Sequence, residues 1–227
     1  MVSFFPKKMS LLFMSAFTLS FCSSGVAGDH VDYDAVDDED GSFAENLAKL
    51  KFPEKFQLSE IVIGQENAPL TVIMYSSFTC NHCCTFHEKE LPKFKKRYID
   101  TGKVKVYLRC YLDDLGAFEA ATLTRCLCKK SPANVTAAYH AIFSKQKEWM
   151  ESEDPREFLK EIFKTQGYKK KDIDACLENR SIQAGLMKEQ QRAMHEFNVI
   201  SMPAFIVNGK THQGEITCEK LAKMCGF

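Results

Sequence analysis

Apolar positions along the chain change their period several times, and each change marks an element. From Leu58 the chain reads Ile61-Val62-Ile63-Gly64, a short strand and a turn, then Pro69 and the run Leu70-Thr71-Val72-Ile73-Met74-Tyr75. A continuous, β-branched run bounded by turn residues predicts a strand buried on both faces, as in an α/β sheet. After Cys80-Asn81-His82-Cys83-Cys84 the apolar residues Phe86, Leu91, Phe94 and Tyr98 fall at helical spacings. Pro92 should kink this helix, because it has no N–H and crowds the preceding turn. Gly102 ends it, and alternation over Lys103–Cys110 predicts a second strand.

From Asp114 to about Asn198 the pattern is helical. Segments near 116–128, 135–150, 155–167 and 171–180 are separated by Ser131-Pro132, Asp154-Pro155 and Gly167, and a further helix runs from about Ser181 to Phe197. Asp154-Pro155-Arg156-Glu157 combines an acidic cap, a proline at the first helical position and an early acid, which marks a helix start. Then the period returns to two. Pro203–Val207 and Lys210–Gly214 flank Asn208-Gly209, the strongest short-range hairpin signal. Residues 217–224 predict a closing helix.

The N-terminal segment follows neither period. Lys7 and Lys8 precede an apolar stretch from Met9 to about Phe21, and Gly25-Val26-Ala27 supplies small residues for cleavage. This order predicts a secretory signal over 1–27, with an apolar core too short to span a bilayer. Cys22 follows Phe21, where a lipidation site has a small residue, so lipidation is not expected. Residues 28–57 predict an acidic leader: Asp29 to Glu45 holds eight acids and no Lys or Arg. Its spacing lacks the glycine and closing glutamate of an EF-hand loop.

Composition adds limits. The 227 residues carry 30 basic and 30 acidic side chains. Cleavage after Ala27 would remove Lys7 and Lys8 and leave 28 against 30, a net charge of −2. No basic excess marks a nucleic-acid partner. Ten cysteines are many, and export would place all but Cys22 where disulfides persist.

The chemistry centres on Cys80-x-x-Cys83, at the passage from a buried strand to a helix. There the free N–H groups and positive dipole end of the helix stabilise a thiolate, the form that attacks disulfides. The spacing lets the second sulfur reach the first within one turn. Cys80 is therefore the expected nucleophile and Cys83 the buried resolving thiol. A protonated His82 would lower the Cys80 pKa further. A zinc site would need two more ligands, and Cys126-x-Cys128, one residue apart in a helix, points its thiols to different sides. Neither metal nor cofactor is expected.

Taken in order, Gly64-Gln65-Glu66-Asn67-Ala68-Pro69-Leu70-Thr71-Val72, Tyr75–Cys83, Leu91-Pro92 and Met202–Gly209 resemble the DsbA-type branch of the thioredoxin superfamily over roughly residues 58–227. The resemblance implies an α/β class, a thioredoxin fold interrupted by an all-helical domain: 58–113 and 191–227 form the thioredoxin part and 114–190 the insertion. It implies an exported, periplasmic thiol–disulfide oxidase that passes its disulfide to folding cysteine-containing proteins and is recharged by a membrane-bound oxidase. Pro203 would be a cis-proline facing Cys80, with the Met202 backbone pairing with substrate. Three residues depart from the family pattern. Asn81 stands where many relatives have proline, and Met202 where valine or threonine is commoner. Met74 stands where relatives often place an acid, which leaves that role without an evident holder. Some relatives carry a second disulfide in the helical block, which implies a bond from Cys176 to Cys126 or Cys128.

The remaining cysteines read as core thiols. Cys84 points about 100° away from Cys83 on the helix, and Cys110 ends a strand. Cys218 and Cys225 can pair only if their helix stops before Cys225. An isomerase or reductase is the competing reading. Isomerases of this superfamily are typically dimeric, and the apolar stripe Phe43, Leu47, Leu50, Phe52 and Phe56 could serve as a dimer surface. A binding or adhesion protein without redox turnover is the reading from another class, and an intact CxxC beside an X-Pro strand counts against it.

Overall fold

The structure is a computed structural model that describes residues 58–128 and 132–227. The expected signal and leader, with Cys22 and the apolar stripe of 43–56, lie outside the described residues. A five-stranded sheet in the order β1-β3-β2-β4-β5 forms the centre, built from β1 (Ile61–Ile63), β2 (Leu70–Ser76), β3 (Val104–Cys110), β4 (Ala204–Val207) and β5 (Lys210–Gln213). β2 and β3 are parallel; every other pairing is antiparallel. β2 is the central strand, and Val72, Met74 and Tyr75 are almost wholly buried, as the unbroken apolar run requires. The Asn208-Gly209 turn has positive φ at both residues (50° and 74°), the conformation that matches a hairpin's twist.

A helical run, α1, connects β2 to β3. It starts as Asn81–Thr85, widens into a π turn over Phe86–Glu90, tightens at Leu91–Phe94 and widens again over Lys95–Ile99. The kink expected at Pro92 takes this form. Leu91 N–H reaches back to Phe86 C=O, five residues away, and the wider turn accommodates a ring that offers no donor.

After β3 comes the insertion: α2 (Leu115–Cys128), α3 (Pro132–Ser144), α4 (Gln146–Met150), α5 (Pro155–Thr165), α6 (Lys170–Leu177) and α7 (Arg180–Phe197). Two expectations need correction. The helix expected over 135–150 is two helices, separated by the non-helical Lys145. The boundary expected at 190–191 falls inside α7, which runs unbroken from the insertion back to the sheet. α8 (Cys218–Met224) closes the fold. Asp154 caps α5 by accepting from Glu157 N–H at 2.9 Å. Asp154→Ala should cost ~1 kcal/mol, read as a lowered urea midpoint.

One aromatic seam joins sheet and insertion. Phe78 packs on Tyr139 and Phe143 of α3, with ring centroids 4.7 and 5.3 Å apart. A disulfide joins Cys126 of α2 to Cys176 of α6, so the alternative partner Cys128 remains a thiol. Cys128 instead lies 3.4 Å from the Tyr168 hydroxyl. The bond closes a loop of 50 residues. Its loss in Cys126→Ser/Cys176→Ser should cost ~2–4 kcal/mol, measured by denaturant unfolding.

Candidate active site

β2 delivers Ser77-Phe78-Thr79-Cys80 to the start of α1. Cys80 is the N-cap residue, in extended conformation, and its Sγ accepts the Cys83 N–H at 3.4 Å. A cap sulfur takes the place of the usual serine or aspartate oxygen. Cys80 is half-buried, while Cys83 is fully buried one turn on. The two sulfurs are pushed apart electrostatically. Cys80 is lowered to about 6, chiefly by the hydrogen bond from the Cys83 thiol and then by the backbone N–H groups of Cys83 and His82, against the cost of burial. Burial first, and the Cys80 thiolate second, drive Cys83 far upward. One sulfur is thus a ready nucleophile and leaving group, and the other holds its proton.

Opposite lies the Met202-Pro203 bond, which is cis. Met202 C=O is 3.8 Å from Cys80 Sγ. The preceding loop is held by Gln213, whose Oε1 accepts from Ile200 and Ser201 N–H at 2.7 and 2.8 Å. Its Nε2 donates to Asn198 C=O at 3.1 Å. From the insertion, the buried Gln146 donates through Nε2 to Phe78 C=O at 2.8 Å and Cys80 C=O at 3.1 Å. His82 extends into solvent, with Nδ1 2.6 Å from Glu215 Oε1.

The structure therefore brings Cys80, Cys83, Met202 and Pro203 together and places His82 at the rim. Cys126, Cys128 and Cys176 lie apart, in the insertion. Met74 is core. Sequence reasoning missed Gln146, Gln213, Glu215 and Asp113. The negative charge of Asp113 raises both active cysteines and so opposes ionisation there. Each of the four is distant in sequence from Cys80 and is brought near by the tertiary fold, so no local pattern marks it. Cys84 is half-buried rather than core, its Sγ 3.4 Å from Phe143 C=O, and burial pushes its thiol up to about 11.

His87 underlies the site. Its Nε2 is 3.0 Å from Ser76 Oγ and its ring stacks on Phe143 at 4.6 Å. Burial alone lowers the imidazole to about 3 from an ordinary 6.5. Below pH 6.5 the unfolded chain therefore takes up a proton that the folded chain refuses, and stability falls with pH. Between pH 7 and 5 the oxidised protein, in which Cys80 does not titrate, should lose about 2 kcal/mol by this route. Urea unfolding at the two values checks this, and His87→Phe should flatten the difference.

Comparison with known proteins agrees with this geometry. The family model described as thioredoxin matches residues 57–225. A protein of Rickettsia conorii named as a protein-disulfide oxidoreductase is 30% identical over 163 residues, 72% of this chain and 58% of that protein. The chain thus spans somewhat over half the length of that relative. A Bacillus anthracis protein named as disulfide bond formation protein D is 29% identical over 155 residues, 65% of this chain and 69% of its own. The crystal structure of Wolbachia pipientis alpha-DsbA1 superposes with a TM-score of 0.68 at 22% identity, over 76% of this chain and 93% of that one. At that identity the likeness establishes the shared fold.

Proposed function

We propose, from the premise that the chain belongs to the thioredoxin family, that it is a thiol–disulfide oxidoreductase acting as a disulfide donor to folding proteins in an exported, periplasmic compartment. The observation that carries the reading is the split between the two sulfurs, with Cys80 at about 6 and Cys83 held protonated. A substrate thiolate attacks Cys80 Sγ of the Cys80–Cys83 disulfide, forms the mixed disulfide and expels Cys83, which takes a proton. A second substrate thiolate then attacks the substrate sulfur and releases Cys80 as its stabilised thiolate. The substrate leaves with one new disulfide and the protein holds the two electrons. A low leaving-group pKa speeds the second step, and a stabilised reduced form makes the disulfide a stronger oxidant.

The Met202 carbonyl beside Cys80 offers the backbone acceptor to which an extended substrate can pair. The Cys126–Cys176 bond suits an oxidising compartment. A membrane-bound oxidase would restore the Cys80–Cys83 disulfide. Equilibration against glutathione buffers, with Cys80→Ser/Cys83→Ser as background, tests the reading. A potential near ~−120 mV, as for DsbA, supports disulfide donation; one near ~−270 mV, as for thioredoxin, reassigns the protein as a reductase.

A further inference from the structure

A groove of about 490 Å³ opens between the insertion and the active loop, with Thr79, the residue before Cys80, in its wall. Its floor is backed by Trp149 of α4, a fully buried ring that a Cβ at Gly116 would approach to 3.1 Å. Leu115 and Met150, among the few large apolar side chains exposed on the described surface, stand on its walls at 44% and 39% exposure. Apart from Pro155 the remainder of its lining is charged, and unequally. Asp114, Glu119, Glu153 and Asp154 face a single cation, Arg156, which is itself paired with Glu119. The charge of Asp113 extends this negative field to the dithiol.

We infer that this groove seats the part of the substrate flanking the reacting cysteine, and that it selects an apolar side chain next to lysine or arginine. This rests on the disulfide-donor reading and adds a substrate class to it. Three observations on one surface point the same way. The apolar floor and walls provide area for a hydrophobic anchor. The surplus of carboxylates complements a cation and repels an acidic flank. Thr79 in the wall ties the groove to the loop that carries the nucleophile. Apolar contact sets affinity, and the field sets encounter rate and the choice between segments.

The test uses the full oxidised protein and two dithiol peptides, Lys-Leu-Cys-Gly-Gly-Cys-Leu-Lys and its counterpart with glutamate for lysine. Second-order rate constants for peptide oxidation are measured at an ionic strength of about 0.01 M, where screening extends to ~30 Å. The basic peptide should react about tenfold faster. Glu153→Lys, at an exposed position outside every helix cap, should reduce the ratio to about threefold or less. Met150→Ser should slow both peptides by a similar factor. Equal rates for the two peptides, or a ratio unmoved by Glu153→Lys, overturn the inference and leave the oxidase reading intact.

Binding of the same peptides with serine for cysteine, followed by the fluorescence of Trp149, the chain's one tryptophan, needs no electron transfer. If neither dithiol peptide is oxidised, a binding preference for the basic serine peptide, lost in Glu153→Lys, keeps the groove assignment while the oxidase reading falls. Absence of any preference, including absence of binding, overturns the groove assignment as well. Self-association abolished by Glu153→Lys would assign the groove to a second copy of the chain and likewise overturn it.

Discussion

Cys80→Ser should reduce dithiol exchange by at least ~10³-fold, whereas Cys83→Ser should arrest it half-way. The two sulfurs have different tasks. Cys80 Sγ is the half-buried cap atom at the helix start and bears the charge. A serine there is neither nucleophile nor leaving group at neutral pH, so no mixed disulfide forms. Cys83 is fully buried and protonated, and it acts only on a partner already bonded to Cys80. Its removal should leave attack of the Cys80 thiolate on an added peptide disulfide intact, releasing one peptide thiol and accumulating a mixed disulfide, visible on a non-reducing gel and cleared by dithiothreitol. Because Cys80 sits at about 6, its attack rate should rise as pH increases through that value and level off above it. The largest cause of the lowering is the hydrogen bond from Cys83. Cys83→Ala, which deletes that donor, should therefore titrate above Cys83→Ser, which retains one. Ultraviolet thiolate absorbance separates the two, and coincident curves would count against this account.

Arg125→Met should cost ~3–5 kcal/mol of folding stability without touching the dithiol. Arg125 and Glu189 are 3% and 9% exposed, with Nη2 and Oε2 2.7 Å apart. Arg125 also donates to Ser59 C=O at 3.0 Å, and Glu189 Oε1 accepts from Cys110 N–H at 3.3 Å. The pair thus fastens α2 and α7 of the insertion to β3 and to the entry of β1. Burial raises the Glu189 carboxyl, and the Arg125 charge opposes that rise. Removing the arginine strands the carboxylate in the interior, where protonation is its cheapest escape. The deficit should therefore shrink as pH falls, which a plain packing defect would not do. Arg125→Met/Glu189→Leu should recover most of the loss, because an apolar replacement of both partners leaves no orphan charge. Urea unfolding of wild type, single and double variants at two pH values decides the matter.

Both predictions draw on residues whose legibility in the sequence differs sharply. The dithiol, the hairpin and β2 announce themselves, since each depends on neighbours a few residues away: a helix start, an Asn-Gly pair, an unbroken apolar run. Cys176 was legible as a bonded residue only through family likeness, and the choice of Cys126 over Cys128 is made by which face of α2 meets α6. Nothing in the sequence pattern marks Arg125 and Glu189, because burial of an ion pair is decided by elements that sequence periodicity does not bring together. Gln146 and Gln213 hold the active loop by side-chain amides from distant elements, and a glutamine in a helical or strand pattern carries no mark of such a task. The π turns of α1 escape periodicity as well, since the pattern around Pro92 shows that something must yield and not how.

The sheet order has a consequence for how the site comes into being. β2 and β3 are joined by α1 alone, so the dithiol and its helix start belong to a unit closed by local contacts. β4 pairs with β2 across the whole insertion, Val72 opposite Val207. Closing so long a loop comes late by the topology of the chain. A chain still emerging from its ribosome would hold Cys80 and Cys83 in place before Met202 and Pro203 arrive. During that interval the protein would itself be a thiol-bearing client of the chemistry proposed for it. Its own Cys126 and Cys176, both made before β4, must find each other while the reactive pair is already poised.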